Sequence, residues 1–300
     1  MAGQGDSNRA ILFALGANFI IFATKGIAAF ITGSSAMLAE TVHSLADCGN
    51  QLLLLLGMRQ ARMDPTPEYP LGYGKAIYFW SFLVALMLFS IGGMFSVYEG
   101  IHKLQHPEPL KQWWWAVGVL VIGIIAEWVS MRACLAEVAK ARGSRSLARW
   151  FHESRQAELV VIFGEDLAAL FGLVFALVAI VLAVVTGNPV WDAIGTLAIG
   201  ILLVVVAVFV AIEVKAMLIG QSADPNVNAA LKGFLEQRPE IARVFSLITL
   251  QLGNDLMVAV KAQLNRSSTE KEDAINNIEK ALKQQFPQVK WSFFEPDNAA

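Results

Sequence analysis

The first 220 residues carry six apolar runs, at about residues 10–31, 36–58, 76–98, 113–133, 159–185 and 190–219. A helix needs roughly 20 apolar residues to cross the ~30 Å hydrocarbon layer of a bilayer. Within lipid, a helix or a closed barrel satisfies every backbone N–H and C=O, and loops or open sheets do not. The runs therefore predict an α-helical bundle of six transmembrane helices in a lipid bilayer. Composition agrees, since 56% of the 300 residues are hydrophobic and 16% charged, against about half and a quarter in a soluble domain. A formal net charge of −2 hides an uneven layout and gives no reason to expect a nucleic-acid partner.

Lysine and arginine collect in alternate connections. The segment after the second run holds Arg59, Arg62 and Lys75, and the one after the fourth holds Arg132, Lys140, Arg142, Arg145, Arg149 and Arg155. The short turns TGSS and TGNP hold none, and the segment after the third run holds only Lys103 and Lys111. The positive-inside rule then places both termini in the cytoplasm. Trp113, Trp114 and Trp115 fit an aromatic belt at the membrane interface. The opening MAGQGDSNR is too short and polar for a cleaved signal, and the lack of a targeting segment points to a bacterial inner membrane. Cys48 and Cys134 lie in or beside apolar runs with no CxxC spacing, so neither a disulfide scaffold nor a zinc cluster is expected.

From residue 221 the character changes. DPNVNAALKGFLEQRPE places an Asp before a Pro, an N-cap followed by a suitable first helical residue. VFSLITLQLGNDLMVAVKAQL reads as two strands around a Gly253-Asn254 turn. SSTEKEDAINNIEKALKQQF opens with Ser267 and Glu270 at capping-box spacing and continues as an amphipathic helix. QVKWSFFEP reads as a last strand. The domains expected are thus residues 1–220, the membrane bundle, and 221–300, a small cytosolic α/β domain of order αββαβ, ferredoxin-like.

The second run is not uniformly apolar. On a helix advancing about 100° per residue, Glu40, His43, Asp47 and Gln51 fall in a stripe about 80° wide. Each ionisable group at membrane depth costs at least about 2.5 kcal/mol on insertion scales, so each demands a partner or a wet cavity. His43 and Asp47, four residues apart, meet on one face. An imidazole and a carboxylate there are two ready ligands for a divalent transition metal. The fifth run supplies GEDLAALFG, with Glu165 and Asp166 beside small residues that let helices approach closely. Lys25, Glu127 and Asp192 form a second tier: Lys25 either pairs with a carboxylate of the site or snorkels, and the other two are proton-handling or structural. A structural buried ion pair is the competing reading of the stripe. His102 and His106, also four apart, read as an exposed pair on an outer loop.

The stretch TGSSAMLAETVHSLADCGNQLLLLLG, followed by LGYGKA, six spans and an αββαβ tail, resembles the cation diffusion facilitator family over nearly the whole chain. The resemblance implies a homodimer exporting a divalent metal, typically Zn2+, from the cytoplasm in exchange for protons. It also implies a tetrahedral metal site built from two i, i+4 ligands on the second span and two on the fifth. His43 and Asp47 match the first pair and Asp166 the last ligand, while Ile162 stands where the family has His or Asp. FGEDLAAL is closer to a divergent branch that includes mitochondrial zinc-transporter-like proteins, which keep an adjacent Glu-Asp pair. Glu165 points about 100° from Asp166 on an ideal helix and ranks below it; Glu40 and Gln51 are further candidates for the shell. Tyr69 and Tyr73 replace histidines common in the loop after the second span. Residues 221–300 contain no histidine, so a binuclear zinc site is not expected there, and that domain is expected to support dimerisation.

Metal binding to such ligands requires their deprotonation, which couples metal to protons without ATP; no GxxxxGK[ST] motif is present. Imidazole titrates near neutrality, which makes His43 the candidate for the exchanged proton. The expectation is a divalent-cation efflux transporter, not an enzyme, with no organic cofactor. Zinc is favoured; manganese, iron or cobalt remain open because oxygen-rich sites suit harder ions. The alternatives are a non-transporting metal sensor or scaffold, and more remotely an intramembrane metallohydrolase.

Overall fold

The computed structural model describes residues 4–265 and 271–298, with side chains at position 16 and from position 18 onward. The elements in order are helices α1 (Gln4–Thr32), α2 (Ser35–Ala61) and α3 (Ala76–Met87), a π-helical segment (Leu88–Met94), and helices α4 (Phe95–Gln105), α5 (Trp113–Arg142), α6 (Leu147–Glu153), α7 (Ala157–Thr186), α8 (Val190–Ile219) and α9 (Pro225–Glu236). Strands β1 (Ile241–Leu252) and β2 (Asp255–Leu264), helix α10 (Lys271–Gln285) and strand β3 (Val289–Pro296) complete the chain. They divide into two compact units. The first holds Trp80–Ser144, Glu158–Ile212 and the chain up to Leu56; the second holds Gly57–Phe79, Arg145–Ala157 and the chain from Glu213 on.

The first unit holds all but the first residues of one helix, Ala76–Gln105, formed by α3, the π segment and α4. This helix, α5, α7 and α8 are each long and apolar enough to cross a membrane. The sequence predicts six such spans. Helix α1 contributes only Asn18–Thr32 as a shorter apolar helix among the described residues, and α2 falls short in hydropathy because of its polar line. The fourth span, expected to end near residue 133, continues as helix to Arg142 and stops at Gly143, whose φ is +58°. Its extension CLAEVAKAR is rich in strong helix formers, which carry the helix on after the apolar run ends.

Leu120, Leu173, Ile180, Ile199 and Leu203 fill the centre of this unit, with Ala36, Ala168 and Ala176 between them. Small residues let backbones close up. A side chain at Gly93 would strike Val204, and one at Gly200 would meet the backbone N of Val97. The continuous α3–α4 helix and α8 therefore pack backbone to backbone, as small residues allow in membrane bundles.

In the second unit, β2 is the central strand of a three-stranded sheet of order β1-β2-β3, antiparallel to β1 and parallel to β3. Its alternate residues Leu256, Val258, Val260 and Ala262 are buried and share one core with Leu231 and Leu235 of α9 and Ile278 and Leu282 of α10. Both helices thus cover the same sheet face, in the expected order αββαβ. Among the described residues no strand precedes α9, so the first strand of a βαββαβ ferredoxin-like arrangement is not seen. Asp224 caps α9, its side chain accepting from Asn226 N, with Pro225 next. The hairpin turn is Gly253-Asn254, with Leu252 opposite Asp255 and Gly253 at φ +66°. The Ser267–Glu270 capping box expected ahead of α10 lies outside the described residues.

The same unit recruits the connection after α2. Gly74 and Gly253 approach so closely that a side chain on either would strike the other's backbone or the carbonyl of Leu252. Gly253 N also donates to the Tyr78 hydroxyl at 3.0 Å, and Tyr78 is fully buried. Helix α6, not anticipated from sequence, is capped by Ser146, which accepts from Arg149 N. It is tied in by Arg145 Nη1 to Asp224 at 2.6 Å and His152 to Glu213.

Candidate metal centre

The second helix is fixed at its start. Ser35 N and Oγ both donate to Asp192 Oδ2, at 2.7 and 2.8 Å, and Ser34 Oγ donates to the other carboxylate oxygen. Ser34 in turn accepts from Met37 N at 3.1 Å, and Thr196 Oγ1 lies 2.8 Å from Ser35 Oγ. Asp192 thus belongs to a carboxylate cap shared between α8 and α2. A negative group at a helix start is favoured by the free N–H groups and the macrodipole there. This cap sets the rotation of α2 and hence the direction of its polar line.

That line runs inward. Glu40, His43 and Asn50 are fully buried, and the Asp47 side chain is 20% exposed. His43 Nδ1 lies 3.7 Å from Asp47 Oδ1, as the i, i+4 spacing implies. The fourth member is Asn50 rather than Gln51. Counted in 100° steps, 40-43-47-50 is as narrow a stripe as 40-43-47-51, so the helical wheel alone does not choose between them. Asn50 Nδ2 donates to Glu165 Oε1 of α7.

On α7, Val161, Gly164, Ala168 and Leu173 are buried, and half-buried Glu165 is directed at α2. Asp166 turns instead toward α5 and accepts from Ser130 Oγ at 3.3 Å. Ile162, on the same flank as Asp166, is 38% exposed. The sequence ranks Asp166 above Glu165; the structure brings Glu165 into contact with the α2 line and puts Asp166 on its α5 side. The charges of both nevertheless interact with that of Asp47, as does that of Glu127 on α5. Gly92 of the π segment passes beside His43, where an added Cβ would lie 3.9 Å from Nδ1. π-helical turns recur at functional sites.

Glu40 is engaged on its other flank. Lys25 of α1 is 1% exposed, so it does not snorkel. Its Nζ donates to Glu40 Oε2 at 3.0 Å and to Ser44 Oγ at 2.8 Å.

The unusual chemistry of α2 lies in what stays unsatisfied. Glu40 Oε1, both ring nitrogens of His43, Asp47 Oδ1 and Asn50 Oδ1 are buried with no hydrogen-bond partner among the described residues. Buried polar atoms are rarely left so, because each orphan costs roughly 1–3 kcal/mol. One helix here carries five in a row, nearly all of them lone-pair donors. Such a row can hold a cation, by direct ligation or through bound water. No three His, Cys, Asp or Glu side chains among the described residues converge closely enough to hold an ion as they stand. The helix supplies an imidazole and a carboxylate, and α7 faces it with the carboxylate of Glu165.

Two other places weighed from sequence look different. Tyr69 and Tyr73 meet as tilted rings with centroids 4.5 Å apart, which makes that loop an aromatic contact. His102 and His106 are both exposed, their rings 5.4 Å apart at the end of α4. Cys48 and Cys134 are free and buried.

Comparison with known proteins finds the Cation efflux transmembrane domain over residues 11–219. The chain is 32% identical over 282 residues to "Proton-coupled zinc antiporter SLC30A9, mitochondrial" of Xenopus laevis, covering 91% of this chain and 50% of that protein. It is 31% identical over 231 residues to "Metal tolerance protein C4" of Arabidopsis thaliana, covering 76% of this chain and 50% of that one. It is 22% identical over 291 residues to "Manganese efflux system protein MneP" of Bacillus subtilis, covering 94% and 93%. The chain thus spans half the length of the frog and plant relatives.

Proposed function

This chain belongs to the cation efflux, or cation diffusion facilitator, family of integral membrane transporters, in its SLC30A9-like branch, and from that premise we propose that it exports a divalent transition-metal cation in exchange for protons. All six long helices cross the membrane in this reading, α1 and α2 included. Residues 1–220 form the transporting bundle and 221–300 a cytosolic domain. The arginine-rich connections after α2 and α5 face the cytoplasm, with both termini, in a bacterial inner membrane. The observation that carries the proposal is the row of five unpartnered polar atoms on α2.

The cation is held by His43 and Asp47 from α2 and by Glu165 and Asp166 from α7. Asn50 positions Glu165. Each ligand must be deprotonated to coordinate, so a proton-rich side releases metal and loads protons, and a proton-poor side does the reverse. Zinc is the favoured cargo because an imidazole with carboxylates suits it, and a proton-coupled zinc antiporter is among the relatives. Manganese belongs in the same test, since oxygen-rich sites suit it and a manganese efflux protein is also a relative. A homodimer is supported by the sheet face away from the helices, where Ile248 and Phe293 are exposed on either side of Ala259.

The test is metal uptake by proteoliposomes under two proton gradients, with zinc, manganese, iron and cobalt. Asp47→Ala and Glu165→Ala should each abolish uptake while the purified proteins stay monodisperse. Normal uptake in both would sink the assignment. The outward, apolar Ile162 favours one second reading, a metal sensor or scaffold that has lost turnover. Metal binding without flux in the wild type would select it.

A further inference from the structure

Lys25 and Glu40 are two fully buried, opposite charges that the transport scheme above does not use. An ammonium buried in α1 is costly to insert, so it is kept only where something needs it. Its two bonds are the contact to Glu40 Oε2 and the contact to Ser44 Oγ. Glu40 lies one turn before His43 and two before Asp47, on the same line. Freed of its partner, that carboxylate would complete a row of three ionisable ligands on α2 alone. Its second oxygen, Oε1, is buried and unpartnered. The backbone of Gly172 lies against it, and a side chain there would collide with Oε1. Gly172 stands two turns after Glu165, on the same face of α7.

The charges fall into two sets. Lys25 and Glu40 cancel, which leaves Asp47, Glu165 and Asp166 as the carboxylates offered to the cation beside His43. We propose that Lys25 is a specificity-determining residue: by holding Glu40, it withholds a further carboxylate from the cation, limits the oxygen ligands and negative charge set beside His43, and so favours zinc over harder ions and allows release. This rests on the reading of α2 and α7 as the transport site. Lys25 does not itself touch metal; it acts through Glu40. Gly172 is the space that lets Glu40 stand between α1 and α7 without pushing α2 off α7.

The consequence is specific to charge rather than to packing. In Lys25→Met, a side chain of similar length leaves Glu40 without a counter-ion, and the carboxylate joins the metal. The preference for manganese relative to zinc should rise about tenfold, the scale on which outer partners tune metal sites, and the maximal uptake rate should fall as metal is held longer. Lys25→Arg should keep the wild-type preference. Lys25→Met combined with Glu40→Gln removes both charges and should restore it as well.

The experiment measures equilibrium binding of Zn2+ and of Mn2+ to the purified full chain in lipid nanodiscs, beside uptake in proteoliposomes, for wild type and these three variants. A changed binding ratio in Lys25→Met that returns in the double variant supports the proposal. The same ratio in all four proteins overturns it, as does a double variant that stays as altered as the single one. Wild-type protein that binds metal but moves none defeats the transport reading alone, because the binding ratios still decide the role of Lys25. Should Lys25→Met fail to fold, Lys25→Gln carries the decision: it too frees Glu40 of its counter-ion, so its ratio should shift toward manganese, and a ratio equal to wild type overturns the proposal.

Discussion

Replacing Asn50 with leucine removes the amide that holds Glu165 and leaves a half-buried carboxylate of α7 without that donor. The expected outcome is a raised KM for metal, by about tenfold, with the protein still folded; saturation curves of uptake measure it. Asn50→Asp should do worse than leucine at high pH, because it sets a fresh negative charge against Glu165. Residue-scale features were unevenly legible. The spacing of Glu40, His43 and Asp47 is visible in the sequence because a helix in lipid tolerates no idle charge. Asn50 is neutral and carries no such signal, and the wheel rates it equal to Gln51. The order of Glu165 and Asp166 was hidden for a different reason. Adjacent residues on a helix point about 100° apart, and which of the two meets α2 depends on how α7 is turned by Gly164, Ala168 and Gly172 packing against neighbours.

The start of α2 is where an element is held rather than merely formed. Asp192 of α8 accepts three hydrogen bonds from Ser34 and Ser35. Asp192→Ala should lower stability by about 1–2 kcal/mol, the upper range for loss of a helix cap, seen as a lower midpoint of thermal unfolding in detergent. Asp192→Asn keeps the acceptor on one atom and should lose less. Uptake per folded molecule should fall less than in Asp47→Ala, since the residue supports the line and does not touch the cation. At this scale the sequence was informative about where helices lie, because lipid thickness dictates length. It was poor at their cytoplasmic ends. Helix α5 runs on through CLAEVAKAR, and α6 arises from LARWFHE behind Ser146, since helix propensity continues where hydropathy stops. The strands and their Gly253-Asn254 turn were legible from alternation and a glycine, while the capping box at Ser267 lies beyond the described residues.

At the scale of the whole molecule, the second unit, like the first, is continuous only in space. Gly57–Phe79, Arg145–Ala157 and the chain from Glu213 on come together, with Gly74 and Gly253 in backbone contact and Tyr78 accepting from Gly253 N. Gly253→Ala puts a methyl group into that contact at a φ of +66°. It should destabilise by more than about 1 kcal/mol, and limited proteolysis should then cut at Arg59 or Arg62 faster than in wild type. Equal cleavage rates would show the contact to be dispensable. A ribosome delivers these three pieces in order, the first of them more than 170 residues before the hairpin that covers it. Until that hairpin emerges, the segment from Gly74 to Tyr78 has no lid, and that glycine and tyrosine wait in water. Completion of synthesis is thus written into the shape of the fold: the early connection takes its final form only after the late hairpin arrives, so a chain cut short before β2 leaves an early loop open to proteases as a mark of its unfinished state.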